Sequence, residues 1–438
     1  VSVTVSLPRF ADASVRERLA ARGTAERTAV VTAAVSVALQ PLLRPSGPLN
    51  SSPVDVALLL AVLTTAVWAG TCSVRLRAPY AVAMGLMVLG GAIAGLAGPL
   101  PGTSLITLMQ DLVLFSWATA IVNLARRPGV LRLLSTTWAL TSVLCAAVLV
   151  FAALFGLTAV EGFIAKNGDR ASFTFGDPDY AATYWAFSVF IVYATQRPRR
   201  PWLRRLGYVL LIWSLVLTQS NGGLVALPVG VGLVLLVAAH RRFGTMAALS
   251  ALLATVASVG LLLTAVPLTV IQEWARYSGQ PLLQETIGRS DASSSQRSIL
   301  TSEAMQLYAT DGPLGSGPGT TKELLEDHHY AYAKEAHDDF LASLVERGLI
   351  GVVGILVLLV GALSRGARVL RGPPRGWPEL PRPVGLVAGL AAALLAGTFY
   401  EVLHFRYVWL LLAFTAAVAS AWPARRAMGR TATVGSAS

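Results

Sequence analysis

Charge is scarce in this chain. Only 13% of its 438 residues are Asp, Glu, Lys or Arg, about half the share in an ordinary soluble domain. That shortfall excludes a water-soluble globular fold. Cysteine is nearly absent. Cys72 and Cys145 lie in or at the end of apolar runs, and neither has a Cys-x-x-Cys partner. No disulfide framework or cysteine-built metal knuckle is expected, and both thiols read as small packing residues. No glycine-rich stretch looks like a nucleotide-phosphate loop, so no ATP site is expected. No internal repeat is evident, which weighs against a transporter built from related halves.

What the chain has instead is apolar length. Hydrophobic residues make up 54% of it, and they gather in stretches of roughly 17–25 residues, the length that crosses a bilayer core as helix. In lipid every backbone polar group must be paired within its segment or in a closed barrel. These runs are continuous rather than alternating, so helices are expected. The spans read as 28–43, 54–73, 79–99, 103–125, 133–157, 180–196, 203–219, 222–239, 244–271, 340–363, 384–403 and 405–423. The fold class is therefore an all-α polytopic membrane protein with about 12 transmembrane helices. The first run is followed by no convincing cleavage site and ends at Gln40-Pro41, so it is expected as a retained anchor.

The net charge of +12 invites a nucleic-acid partner, but its placement argues against one. Arginines collect in alternate short connectors: Arg75/Arg77, Arg126/Arg127/Arg132, Arg197 to Arg205, Arg241/Arg242 and Arg365 to Arg382, with Arg425, Arg426 and Arg430 at the C-terminal end. The connectors between those hold almost none. This asymmetry sets orientation. It predicts cytoplasmic tails at 1–27 and 425–438, helices 1–9 over 28–271, and helices 10–12 over 340–424. Two longer segments then face outward, 158–179 and a large loop at 272–339 between helices 9 and 10. The large loop carries eleven acidic residues and five basic ones. A loop that long in a compact protein is functional or disordered. Helical patterns over 297–309 and 320–335, around the glycine-rich turn Asp311 to Gly319, predict an ordered cap.

Chemistry-bearing residues concentrate in these outward segments. His337 stands where the loop re-enters an apolar run, and a neutral imidazole there can take a proton from a hydroxyl. Asp338 and Asp339 beside it can orient it, or simply suit a helix N-terminus. Arg297 follows a serine-rich turn, with Arg289 eight residues earlier. A guanidinium fork matches phosphate oxygens; the alternative for Arg297 is an ion pair with Glu303 or Asp291. Arg170 in the other outward segment can converge on the same anion. Asp177-Pro178-Asp179 resembles an Asp-x-Asp metal site, but a helix cap explains it more simply. Asp111 lies inside a span, where a carboxylate requires a partner or a water-filled cavity. Its partner could be a neighbouring Gln110 or Ser/Thr. His328-His329 lacks the spacing of a zinc site, and no metal site is expected. His404 and Arg406, at a short outer connector, read as interface anchors; the alternative is that they line the site.

Four stretches resemble the O-antigen ligase / O-antigen polymerase family of bacterial membrane glycosyltransferases. The first is Ala336-His337-Asp338-Asp339-Phe340-Leu341 followed by Glu346-Arg347-Gly348-Leu349-Ile350-Gly351. The second is Arg297 with Pro313-Leu314-Gly315-Ser316-Gly317. The third is Arg170 with Phe175-Gly176-Asp177-Pro178-Asp179, and the fourth is Thr218-Gln219-Ser220-Asn221-Gly222-Gly223. Asp338 and Asp179 stand where the family usually has Asn, and Asn221 where arginine is common. The resemblance implies a GT-C-like fold, an inverting, metal-independent transfer with no cofactor, and an undecaprenyl-diphosphate-linked glycan donor. The acceptor would be a glycan, lipid or protein hydroxyl at the outer face of the cytoplasmic membrane. It implies His337 as base, and Arg297, Arg289 and Arg170 on the donor diphosphate. Asp338, Asp339, Glu346 and Asp111 would orient or support them. Two rival readings remain on the sequence, a secondary transporter or lipid flippase and a non-catalytic partner in envelope assembly.

Overall fold

The apolar runs fold as helices, and the residues at their ends explain where most of them begin and stop. The computed structural model describes residues 13–44, 52–162, 170–265, 268–280, 283–284, 288, 290–328, 338–372 and 379–434. Every regular element among them is helical. The first five are α1 (Ala13–Ala38), α2 (Pro53–Thr71), α3 (Ala81–Ala97), α4 (Pro101–Ala125) and α5 (Val130–Phe155). A single turn α6 (Thr158–Glu161) leads to α7 (Pro178–Thr195), α8 (Pro201–Leu217), α9 (Asn221–Phe243) and α10 (Thr245–Ala265). The long polar loop holds α11 (Leu268–Tyr277), α12 (Ser290–Asp311) and α13 (Thr321–Asp327). The chain then returns through α14 (Asp339–Leu370), α15 (Val384–Ala396), a 3₁₀ turn (Val402–His404) and α16 (Arg406–Val434). Prolines open α2, α4, α7 and α8, where a missing N–H costs nothing.

Each of the twelve runs read from the sequence falls on a helix. Five helices are long and apolar enough to cross a membrane by themselves: α2, α4, α5, α9 and α14. Shorter apolar helices add Ala81–Ala97, Thr245–Ser258, Val384–Ala396 and Arg406–Ser420. The chain is thus an all-helical, multi-pass membrane protein. Three boundaries differ from expectation. The run 244–271 falls on two described helices, α10 and the amphipathic α11. Both expected tails are partly helical, over 13–27 and 425–434, in keeping with their alanines and arginines. The run 384–403 stops at Ala396, and residues 397–405 form an irregular connector.

Helix α7 lies at the centre. Fifteen of its eighteen residues are buried, the mark of a helix surrounded on every side. Trp138 of α5 reaches it through a hydrogen bond from Nε1 to Ser188 Oγ at 3.0 Å. Helices α3 and α14 pack most intimately, and glycines allow it. A Cβ on Gly90 would lie 2.7 Å from the Arg347 carbonyl oxygen and 2.8 Å from the Gly351 nitrogen. Small residues at a membrane helix interface let backbones approach this way. The loop helices have their own small core, in which Leu300, Ala304, Leu307, Leu324 and Leu325 pack on Val345 of α14. The ordered cap expected over 272–339 is therefore seated on α14. Its first helix is longer than the expected 297–309. Its second ends at Asp327.

Candidate functional site

The site is built on a break in α14. Gly348 has φ 61° and ψ −163°, a conformation that glycine alone adopts readily. At this residue the helical ladder fails. Leu349 N–H donates to the Pro313 carbonyl at 3.1 Å, and the carbonyls of Val345 and Glu346 are left over. The loop takes them up. Ser316 N–H donates to Val345 O at 2.8 Å and Gly317 N–H to Glu346 O at 3.0 Å. The Ser316 hydroxyl adds a second bond to Val345 O at 3.1 Å. Buried backbone groups must find partners, and here two sequence motifs supply each other's. Gly315 and Gly317 have φ of 84° and 110°, the turn chemistry that brings their neighbours' N–H groups to the break.

Three polar contacts lie around this break. Arg347 Nη1 meets Asp111 Oδ2 of α4 at 2.7 Å, and each side chain is only 6% exposed. This supplies the partner that an intramembrane carboxylate requires. It comes from another helix, α14. Glu346 Oε1 accepts from Thr321 Oγ1 at 2.9 Å, which fastens α13 to α14. At the start of α14, Asp338 caps the helix by accepting from Phe340 N–H at 2.8 Å and Leu341 N–H at 2.9 Å.

Asp339, one residue on, reaches the other way. Its N–H donates to Gly397 O at 3.0 Å, and its Oδ1 accepts from Leu403 N–H at 3.0 Å. The 397–405 connector is thereby docked on the start of α14. Trp409 Nε1 also donates to Leu403 O, at 2.8 Å. On this connector His404 Nε2 sits 3.2 Å from Glu401 Oε2. Burial alone would lower the imidazole's pKa. The hydrogen bond and charge of Glu401, with the charges of Asp111 and Glu346, outweigh it and push the group up to about 9. The Glu401 carboxylate thus favours the charged form of the ring.

Together these residues line a small cleft whose cavity volume is about 20 Å³. Asp111 comes from α4; Asp339, Ser343, Glu346 and Arg347 from α14; and His404 from the connector. Met87, Phe115 and Trp409 form its apolar sides. Of the residues expected at a site, Asp111, Asp339 and Glu346 thus meet in one place, with Asp338 capping the helix at its edge. Among the described residues no group of three or more His, Cys, Asp or Glu side chains is arranged to hold a metal.

Arg170 stands in a separate cluster. Its Nη2 lies 2.5 Å from Asp179 Oδ1, and its Nε donates to Thr218 O at 3.1 Å. Asp177 caps α7, accepting from Asp179 N–H at 2.7 Å and Tyr180 N–H at 3.1 Å. The Asp-x-Asp pair is thus one helix cap and one arginine partner. Tyr400 joins this cluster to the connector, with its hydroxyl 3.3 Å from Asp179 Oδ1 and 3.0 Å from Ser220 Oγ. Gly222 N–H at the start of α9 also donates to it, at 3.1 Å. His337 and Arg289 lie outside the described residues. Arg297 lies on the backbone of α12, and its side chain is not among those described.

Sequence reasoning missed Arg347, Tyr400 and Glu401. Arg347 was in plain view inside a quoted motif, but nothing local ties it to a residue 236 positions away. Glu401 offered the clearer signal, since a carboxylate inside the expected run 384–403 argues for a connector there. His404 was expected as an interface anchor. It lines the cleft, which was the alternative reading. Arg406, read the same way, is a structural tie, with Nη2 2.6 Å from Asp55 Oδ1.

A multi-pass helical membrane protein with a charged cleft beside a polar loop sewn into a broken helix is the class that fold and site define. Residues 206–367 match the family described as O-antigen ligase. That stretch of the chain is similar to the O-antigen ligase family. The matched stretch runs from α8 into α14 and includes Arg289, Arg297, the Pro313 to Gly317 turn and the Gly348 break. No curated protein matches the chain.

Proposed function

We propose that this protein is a glycosyltransferase that moves a glycan from an undecaprenyl-diphosphate-linked donor to an acceptor hydroxyl. The reaction runs at the outer face of the cytoplasmic membrane, with twelve spans and both termini in the cytoplasm. The observation that carries the reading is the mutual hydrogen bonding of Ser316 and Gly317 with Val345 and Glu346, inside the family-matched stretch. It anchors the loop on the helix whose first residues follow His337, beside a cleft of charged side chains.

The chemistry asks little more of the chain. His337 takes the acceptor hydroxyl's proton as the oxygen attacks the anomeric carbon from the face opposite the diphosphate. The bond from that carbon to the diphosphate oxygen breaks, and configuration inverts. The leaving diphosphate gathers negative charge, which Arg297 and Arg289, with Arg170 released from Asp179 or acting beside it, stabilise electrostatically. Asp338 fixes the start of α14 by capping it, and Asp339, Glu346 and Asp111 hold the surrounding elements in register. The donor already carries an activated leaving group, so neither ATP nor a metal is required.

The test is transfer by the purified protein from a lipid-diphosphate oligosaccharide, with a chelator present. Product is expected from the wild type. A positioned base is worth roughly 10²–10⁴-fold, so His337→Ala should lose at least that much, and Arg297→Ala should lose comparably through leaving-group stabilisation. Both variants should reach the membrane in normal amounts. Full activity in both would overturn these assignments.

A further inference from the structure

His404 is a charged group of the cleft that the proposed chemistry leaves without a task. Its place is set on three sides. Glu401 pairs with it at 3.2 Å. Leu403, next to it in the chain, is held by Asp339 Oδ1 at 3.0 Å and by Trp409 Nε1 at 2.8 Å. Yet its side chain is 41% exposed, so one edge of the ring is open to whatever approaches the start of α14.

We infer that His404, clamped by Glu401, is a positioning residue for transfer: its imidazolium holds the 397–405 connector on Asp339 and lends the cleft a second cation beside Arg347. The inference rests on the reading of the protein as a glycan transferase. The charged groups around His404 are Glu401 on its own connector, Asp111 on α4, and Asp339, Glu346 and Arg347 on α14. Without the imidazolium, four carboxyl groups face one guanidinium. A diphosphate drawn toward the start of α14 would then meet net negative charge, and like charge in a partly desolvated site opposes binding. With it, the excess of carboxyl groups over cations falls from three to two. The same pairing keeps the connector from drifting off Asp339, whose neighbour Asp338 sets the turn that follows His337.

The sign of the pH dependence follows. His404 is raised from 6.5 to about 9. Its contribution to stability is complete below about 6.5 and is lost as pH rises through about 9. Transfer should therefore show an alkaline limb near pH 9.

The experiment compares full-length wild type, His404→Gln, His404→Lys and Glu401→Gln in nanodiscs, across pH 6 to 10. kcat and KM for a lipid-diphosphate oligosaccharide are measured alongside the thermal unfolding midpoint. His404→Gln is expected to lose roughly 10–100-fold in kcat/KM at pH 7, the range that a small misplacement costs. Its alkaline limb should vanish, together with the fall in midpoint between pH 6.5 and 9. Glu401→Gln should move both transitions toward lower pH. His404→Lys keeps a cation and should recover part of the activity, with its limb shifted upward. Wild-type kcat/KM and an unchanged limb in His404→Gln would overturn the inference while leaving the transferase reading intact. Unfolded His404→Gln with an unshifted Glu401→Gln midpoint profile would also overturn it. No transfer by the wild type would overturn the transferase reading itself, and the inference with it.

Discussion

Asp111 and Arg347 come from different helices and bury one another so thoroughly that neither is tolerable alone. Removing one member of a buried pair strands the other's charge, at a cost of about 3–5 kcal/mol. Asp111→Ala should therefore lower the unfolding free energy by about that amount, measured by denaturation in detergent. The double variant Asp111→Ala/Arg347→Met should recover most of it, because two apolar side chains leave no charge uncompensated. If the double variant is as unstable as the sum of the singles, the 2.7 Å contact is not where the stability lies. The sequence announced only half of this pair. A carboxylate inside an apolar run required a partner, but the partner's identity depended on how α4 crosses α14. No local pattern encodes that crossing.

At the scale of elements, the break at Gly348 is the feature most open to test. Any other residue there must adopt φ near 61°, and an added Cβ would come within 2.6 Å of the Leu314 carbonyl. Strain of this kind costs roughly 1–3 kcal/mol, and relief requires the Pro313 to Gly317 turn to move away. Gly348→Ala should therefore lower the unfolding midpoint and, on the transferase reading, depress transfer well beyond the loss in folded protein. A circular-dichroism melt with a parallel activity assay would check both; an unaltered melt would mean that the turn is not held as described. Here the sequence was informative in a particular way. Pro-Leu-Gly-Ser-Gly and Glu-Arg-Gly both stood out as motifs, and the glycines pointed to unusual backbone. That the two complete one another's hydrogen bonding was not legible, because it depends on the loop folding back over 30 residues. The connector at 397–405 was harder still. Its residues are apolar enough to pass for helix, and only Glu401 and His404 betray it.

Across the whole molecule, composition carried most of the fold. Scarce charge and continuous apolar runs led to helices at all twelve expected places, and the arginine asymmetry led to an orientation. That orientation can be checked directly. With Cys72 and Cys145 replaced by alanine, a cysteine at the exposed Ser302 of α12 should react with a membrane-impermeant maleimide on intact spheroplasts. A cysteine at the exposed Thr245, between α9 and α10, should react only after permeabilisation. The reverse pattern would invert the topology and move the long loop to the cytoplasm. The candidate cleft was less legible than the scaffold, because its walls are gathered from residues as far apart as Asp111 and His404. Their separation along the chain hides a proximity that only helix packing creates.

The stitching of Ser316 and Gly317 into α14 also bears on how such proteins can be rebuilt. A specificity cap exchanged between relatives would be cut at the visible boundary, where polar sequence gives way to apolar. Such a chimaera would divide a shared set of backbone hydrogen bonds between two parents. The workable cassette ends beyond Gly351, some way down the membrane helix, so that turn and break travel together from one donor.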